Sequence, residues 1–162
     1  MSQTPLVLDS FRPPLLDRET IYTNGDWVSA IDSRTLQEKW RFENPCSLPG
    51  HKVYPRLVSG EVAYMAPTCG GLYAIDAADG HKLWELSAPD QPPVDAMVMF
   101  AGLGYAQTVD ARLYAIDLAT GHIVGKADFK PSRTPPDDTE AFVAGDQMML
   151  LHFGGRSLFA FR

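Results

Sequence analysis

Thiols, imidazoles, carboxylates and activated hydroxyls carry most protein chemistry, and they do so at recognisable spacings. In this chain they do not converge. The two cysteines, Cys46 and Cys69, stand 23 residues apart, too few for a disulfide framework and too distant for a Cys-x-x-Cys pair, so free thiols are expected. The histidines, His51, His81, His122 and His152, form no His-x-His or other ligand spacing. Two of them, His81 and His122, each follow a glycine, Gly80 and Gly121, and so report a repeated turn. No Gly-x-Ser-x-Gly elbow occurs, and Gly70-Gly71, Gly154-Gly155 and Gly102-x-Gly104 lack the following helix of a phosphate-cradling loop. Neither a catalytic residue nor a metal site is expected.

Charge narrows the partners. The chain has 14 Lys+Arg against 20 Asp+Glu, a formal charge of −6, which disfavours phosphate backbones and anionic lipid and favours a basic protein. No nucleic acid and no membrane is expected. The start, Met1-Ser2-Gln3-Thr4-Pro5, lacks a basic and apolar leader, and no run reaches the ~18 apolar residues of a span. A cytoplasmic setting follows as the expectation. The length of 162 residues fits one domain, and 13 Gly with 13 Pro imply many turns.

The elements that must position any site come from a repeat. Val28-Ser29-Ala30-Ile31-Asp32 returns as Leu72-Tyr73-Ala74-Ile75-Asp76, Leu113-Tyr114-Ala115-Ile116-Asp117 and Leu158-Phe159-Ala160-Phe161-Arg162. Their last positions are 44, 41 and 45 residues apart, a period that marks propellers and solenoids. Each phrase alternates and favours β-branched and aromatic residues, as a strand covered on both faces requires. An apolar run precedes each, as in Val62 to Ala66, and a turn and further strand follow, as in Lys82-Leu83-Trp84-Glu85-Leu86. With an upstream strand such as Tyr54 to Val58, each unit makes a four-stranded blade. No window sustains helical periodicity for three turns.

At these residues the chain resembles the pyrroloquinoline-quinone (quinoprotein) repeat, with its pattern Ala-x-Asp-x-x-x-Gly-x-x-x-Trp. The second copy matches throughout in Ala74, Asp76, Gly80 and Trp84. The first has Ala30, Asp32 and Trp40 but Leu36 in place of Gly; the third has Ala115, Asp117 and Gly121 but Gly125 in place of Trp; the fourth ends at Arg162. The resemblance implies an all-β propeller of four blades, approximately 14–43, 53–87, 94–129 and 140–162 plus 5–10, in one domain over 1–162. It makes Trp40, Trp84, Ala74, Asp76, Gly80, Asp117 and Gly121 structural: the indole lies between blades with its N–H on a backbone carbonyl, and the Asp accepts from the tight turn. Leu36 and Gly125 imply looser seams. The segment Pro5-Leu6-Val7-Leu8-Asp9 is expected to close the last blade, either in cis as a four-bladed ring or in trans as an eight-bladed homodimer. Enzymes of the family hold a quinone with a calcium or lanthanide ion, a catalytic Asp and often vicinal cysteines. That set is not assembled here, so no cofactor is expected.

In such a fold the long Pro-rich connections at 44–52, 88–93 and 130–139 share one face with the shorter loops. Candidate partner-binding residues on it are Trp27, His51, Tyr54, Asp90, Arg133, Asp137, Asp138 and Arg156. Cys46 and Cys69 fall on the same face, which permits a bond under oxidising conditions. The leading expectation is a non-catalytic protein-binding propeller, such as a small inhibitor or immunity protein occluding a basic partner. The alternatives are a scaffold of a larger envelope assembly and a degenerate quinone-binding enzyme.

Overall fold

Each Ala-centred phrase forms the third strand of an antiparallel sheet. The computed structural model describes residues 12–87 and 92–128, together with the backbone of three further strands between 139 and 161. The first sheet comprises β1 (Leu15–Asp17), β2 (Thr20–Tyr22), β3 (Trp27–Asp32) and β4 (Glu38–Glu43), in that order. The second repeats it with β5 (Val53–Ser59), β6 (Val62–Pro67), β7 (Leu72–Asp76) and β8 (Lys82–Leu86). The third has β9 (Val94–Phe100), β10 (Leu103–Thr108), β11 (Arg112–Asp117) and β12 (Ile123–Asp128). In the fourth, β13 (Thr139–Val143), β14 (Met149–Phe153) and β15 (Ser157–Phe161) are described. The N-terminal strand expected at 5–10 lies outside the described residues.

The first strand of each sheet packs beside its counterpart in the next, β1 with β5, β5 with β9 and β9 with β13, so first strands line the axis and fourth strands form the rim. The architecture is a β-propeller.

The core lies between sheets because strand side chains alternate faces. From the second sheet, Ala63, Met65, Tyr73 and Ile75 join Tyr22, Val28, Ala30 and Trp40 of the first. Their neighbours Tyr64, Ala66, Leu72 and Ala74 point the other way and join Val94, Met97, Ala106, Tyr114 and Ile116 of the third. A slip of one residue in β6 or β7 would exchange the two sets and empty both seams.

The rim repeats a lock. Trp40 pairs across the ladder with Ala30, and its indole N–H reaches over the seam to donate to the Ala77 carbonyl at 2.9 Å. Trp84, opposite Ala74, donates to the Leu118 carbonyl at 3.0 Å. In each case the indole lies on the next blade's turn. Gly80 has φ +82°, and a Cβ there would come 2.8 Å from the Trp40 ring; Gly121, at φ +74°, would meet Trp84 at 2.7 Å. Glycine therefore answers both the left-handed backbone and the indole face. The turn is braced by its aspartate: Asp76 accepts from the Ala78 N–H, and Asp117 from those of Ala119 and Thr120. A bulge after Ala30, Ala74 and Ala115 sets the fourth strand in each sheet.

One expectation is corrected. Cys46 and Cys69 are not free thiols but form a disulfide, with Cα atoms 6.0 Å apart. Their sequence separation reads as distance, but Cys46 lies in the connection leading into β5 and Cys69 in the β6–β7 loop, and both emerge from the same end of the second sheet.

Candidate functional site

The loop end of the blades is an organised surface. Gly25 and Val53 exchange backbone hydrogen bonds of 3.2 and 2.8 Å, stitching the β2–β3 loop to β5. Asn44 donates its amide to the His51 carbonyl at 2.8 Å and accepts from the Cys46 N–H at 3.1 Å. Across the loop, the His51 ring lies 3.0 Å from the Thr68 hydroxyl, beside the disulfide. These contacts hold residues 44–52 in one shape and leave apolar groups in solvent, with Leu48 67% and Trp27 42% exposed. Val109, at the tip of the β10–β11 loop, is also exposed.

At the axial side of this end, a charged cluster gathers on the first strands. Two bulges build it. In β5, Pro55 pairs with Met65 and Leu57 with Tyr64, leaving Arg56 as the extra residue. In β9, Val94 pairs with Thr108 and Ala96 with Gln107, leaving Asp95. A bulge bends its strand and re-aims the extra side chain. Arg12, just before β1, completes the group: it forms an ion pair with Asp95 and also donates to the Asp95 carbonyl at 3.3 Å. Asn24 holds that segment by donating to the Arg12 and Pro13 carbonyls at 3.1 and 3.4 Å. The Tyr54 ring lies under both guanidiniums, 5.7 Å from Arg12 and 4.9 Å from Arg56. Arg56 has its Nε shielded from solvent and without a hydrogen-bond partner among the described residues. Burial, and the Arg12 charge beside it, pull its pKa down to about 10.

Of the residues expected to bind a partner, Trp27 is exposed, with the Arg41 guanidinium 4.5 Å from its ring centre. His51 is engaged in bracing its loop, and Tyr54 sits inside the channel mouth. Asp90, Arg133, Asp137, Asp138 and Arg156 lie outside the described residues. Arg12, Arg56 and Asp95 were not singled out from the sequence. Only Pro55 signalled anything, since proline within a strand marks an edge or a bulge.

The quinone and its hard cation, which the resemblance brings to mind, can be tested against this mouth. A calcium-like ion needs several converging oxygens. Here one carboxylate, already paired with Arg12, stands among two guanidiniums, so the described residues of the mouth do not fit such an ion. Elsewhere Asp76, Asp79 and His81 bring ligand atoms within 4.8 Å of one another. All three belong to the Trp40-docking turn, where Asp79 accepts from the His81 backbone and ring, raising the imidazole pKa. At the opposite end, a groove lined by Arg18, Glu19, Lys39 and Glu61 opens beneath the first seam, and its mixed charges select no ligand.

With this geometry in place, comparisons become informative. A family model described as outer membrane protein assembly factor BamB matches residues 4–97 and, in a second register, 24–159. The quinoprotein alcohol dehydrogenase PedH of Pseudomonas putida is 28% identical over 112 residues, 64% of this chain and 19% of PedH. Among solved structures, BamB from Moraxella catarrhalis superposes with a TM-score of 0.65 at 20% identity, over 88% of this chain and 45% of that one. The computationally designed Ika4 protein gives 0.68 at 12% identity, over 99% of this chain and 98% of its own. The structural likenesses speak to the fold alone, and the chain spans less than half of the natural proteins it resembles.

Proposed function

The chain belongs to the family described as outer membrane protein assembly factor BamB, a family of quinoprotein-type propeller repeats, and on that premise we propose that it is a protein-binding scaffold without catalytic activity. The observation that carries this reading is the loop end itself. A disulfide and side-chain hydrogen bonds fix a surface that presents Trp27, Leu48 and Val109 to solvent. Preorganised loops lose little entropy on binding, and a large aromatic beside an arginine is a common energetic centre of interfaces.

Of the versions set out from sequence, the scaffold within an envelope assembly has the support of the family description. The inhibitor or immunity reading draws on size and charge alone. The Cys46–Cys69 bond favours an oxidising compartment over the cytoplasm first expected. The degenerate-enzyme reading draws on the PedH relationship, which spans a fifth of that protein, and on no converging catalytic groups among the described residues. The basic partner draws on net charge alone.

Affinity capture from envelope and soluble fractions tests the proposal. A single stoichiometric partner is expected, bound about tenfold or more weakly by the Trp27→Ser/Leu48→Ser double variant. Capture of no partner, or of one that is indifferent to both substitutions and to excess competing protein, would sink it.

A further inference from the structure

We propose that the Cys46–Cys69 bond is an exchange site for a dithiol, attacked at the Cys69 sulfur, and that opening it releases the connection at 44–52 and so weakens docking on the loop end. The docking half rests on the protein-binding reading above; the exchange site does not.

The two sulfurs stand in unlike places. Cys69 is an exposed residue of the β6–β7 loop, in a tight turn closed by the Gly70 N–H on the Pro67 carbonyl at 3.1 Å, and Gly70 beside it has no side chain to screen the sulfur. Cys46 is half-buried, and its N–H donates to the Asn44 side chain at 3.1 Å. Exchange needs a thiolate to reach one sulfur while the other leaves, so exposed bonds exchange and buried ones resist. Access therefore selects Cys69 as the sulfur attacked and Cys46 as the leaving group.

What the bond holds is local. Neither cysteine belongs to the two core clusters between the sheets, and both sit on connections of a sheet whose strands pair without them. At the base of the connection, Asn44 donates to the His51 carbonyl at 2.8 Å. The Thr68 N–H donates to the Lys52 carbonyl at 2.8 Å, and the Lys52 N–H to the Thr68 hydroxyl at 3.0 Å. Above these anchors, Ser47, Leu48, Pro49 and Gly50 are all exposed and make no hydrogen bond among the described residues. The bond is thus the tie that fixes the segment bearing Leu48 to the β6–β7 loop. The base contacts survive its opening and keep the two thiols within reach for reclosure.

The exchange balances in two steps. A thiolate of the dithiol attacks the Cys69 sulfur, the Cys46–Cys69 bond breaks, and its electron pair leaves on the Cys46 sulfur, which takes up a proton. The second thiolate then attacks the dithiol sulfur bound to Cys69, closing the dithiol's own disulfide, and Cys69 leaves as a thiolate that is protonated in turn. Two electrons and two protons pass from the dithiol to the protein.

The test treats the full oxidised chain with dithiothreitol, following thiols by rapid alkylation and mass measurement, at urea concentrations from zero to just below unfolding. Attack on the folded protein predicts a rate proportional to dithiothreitol and constant within about twofold across that range. A bond reached only by unfolding is reduced about tenfold or more faster as urea lowers stability, and that result overturns the exchange site. Single-cysteine variants locate the attack: Cys69 in Cys46→Ser should form a mixed disulfide with oxidised glutathione about tenfold or more faster than Cys46 in Cys69→Ser. The same choice is read on the wild-type chain by mapping the first adduct with reduced glutathione, expected on Cys69. Equal rates, or a first adduct on Cys46, overturn Cys69 as the point of entry. On reduction, NMR order parameters at Ser47, Leu48 and Gly50 should fall from about 0.8 toward about 0.6 while those of β6 and β7 hold, and unchanged values overturn the release. Affinity capture with the oxidised chain and with the chain reduced and alkylated should retain about tenfold less partner on the second. If the order parameters fall but capture is equal, the docking half is overturned while the exchange site stands. If neither form captures a protein, the scaffold reading fails and the exchange site survives on its rates.

Discussion

The two Trp-locked seams and the two positions where the same pattern lapses occupy equivalent backbone and behave differently. At the seams, Trp40 and Trp84 lie on Gly80 and Gly121, and the tyrosine at the third position of each blade's second strand, Tyr22 or Tyr64, packs its ring 5.8 or 5.7 Å from the indole. At the first blade's turn, Leu36 adopts the same left-handed region, φ +58°, and forms the same hydrogen bond to the Asp32 carbonyl as Gly80 forms to Asp76. It is 68% exposed, and no indole covers it among the described residues. In the third blade, where Gly125 stands opposite Ala115 in place of a tryptophan, Tyr105 turns to Phe100 at 6.3 Å. The glycine of the repeat is thus required by the docked ring more than by the turn. Where the ring is absent, leucine closes the same turn at the cost of a strained φ.

Removing the ring should break the contrast most strongly. Trp40→Ala deletes a buried indole and its interblade hydrogen bond, and chemical denaturation should register a loss of about 3–5 kcal/mol. Reducing the disulfide comes next. It closes a loop of 23 residues between the connection leading into β5 and the β6–β7 loop, so reduced protein should lose about 3 kcal/mol. Hydrogen exchange should then show the loop end of the second sheet losing protection while the Trp40 and Trp84 seams keep theirs.

Gly80→Ala should cost about 2–3 kcal/mol, combining the left-handed backbone with a Cβ pressed against Trp40. A cost no larger than that of a Cβ at open Gly60, which has φ +62° and no atom within 4 Å, would show that the turn rather than the ring demands glycine. The smallest effect has the opposite sign. Leu36→Gly should stabilise by about 0.5–1 kcal/mol, read as a rise of about 2 °C in Tm, because it relieves φ without meeting a ring.

Much of the rim was legible because its rules are local. Ala, Asp, Gly and Trp recur at fixed offsets, each with a role that its own chemistry explains, and even the lapses at Leu36 and Gly125 could be read. The recurrence of Tyr22, Tyr64 and Tyr105 was equally available and was missed, since a tyrosine in a strand carries no conspicuous signature. The channel mouth was illegible for a physical reason. Arg12, Arg56 and Asp95 come from three blades and share no spacing, and two of them owe their direction to bulges, which a strand pattern does not announce.

The sequence by itself determined the blades, their order and the tryptophan locks, because a forty-odd-residue period with alternating apolar residues can bury its surfaces only by stacking sheets side by side. Tertiary structure alone decided that Cys46 meets Cys69 and that Arg12, Arg56 and Asp95 gather about the Tyr54 ring. Both depend on where loops and bulges from separate strands arrive in space, and the repeat constrains the strands far more tightly than the irregular backbone between them.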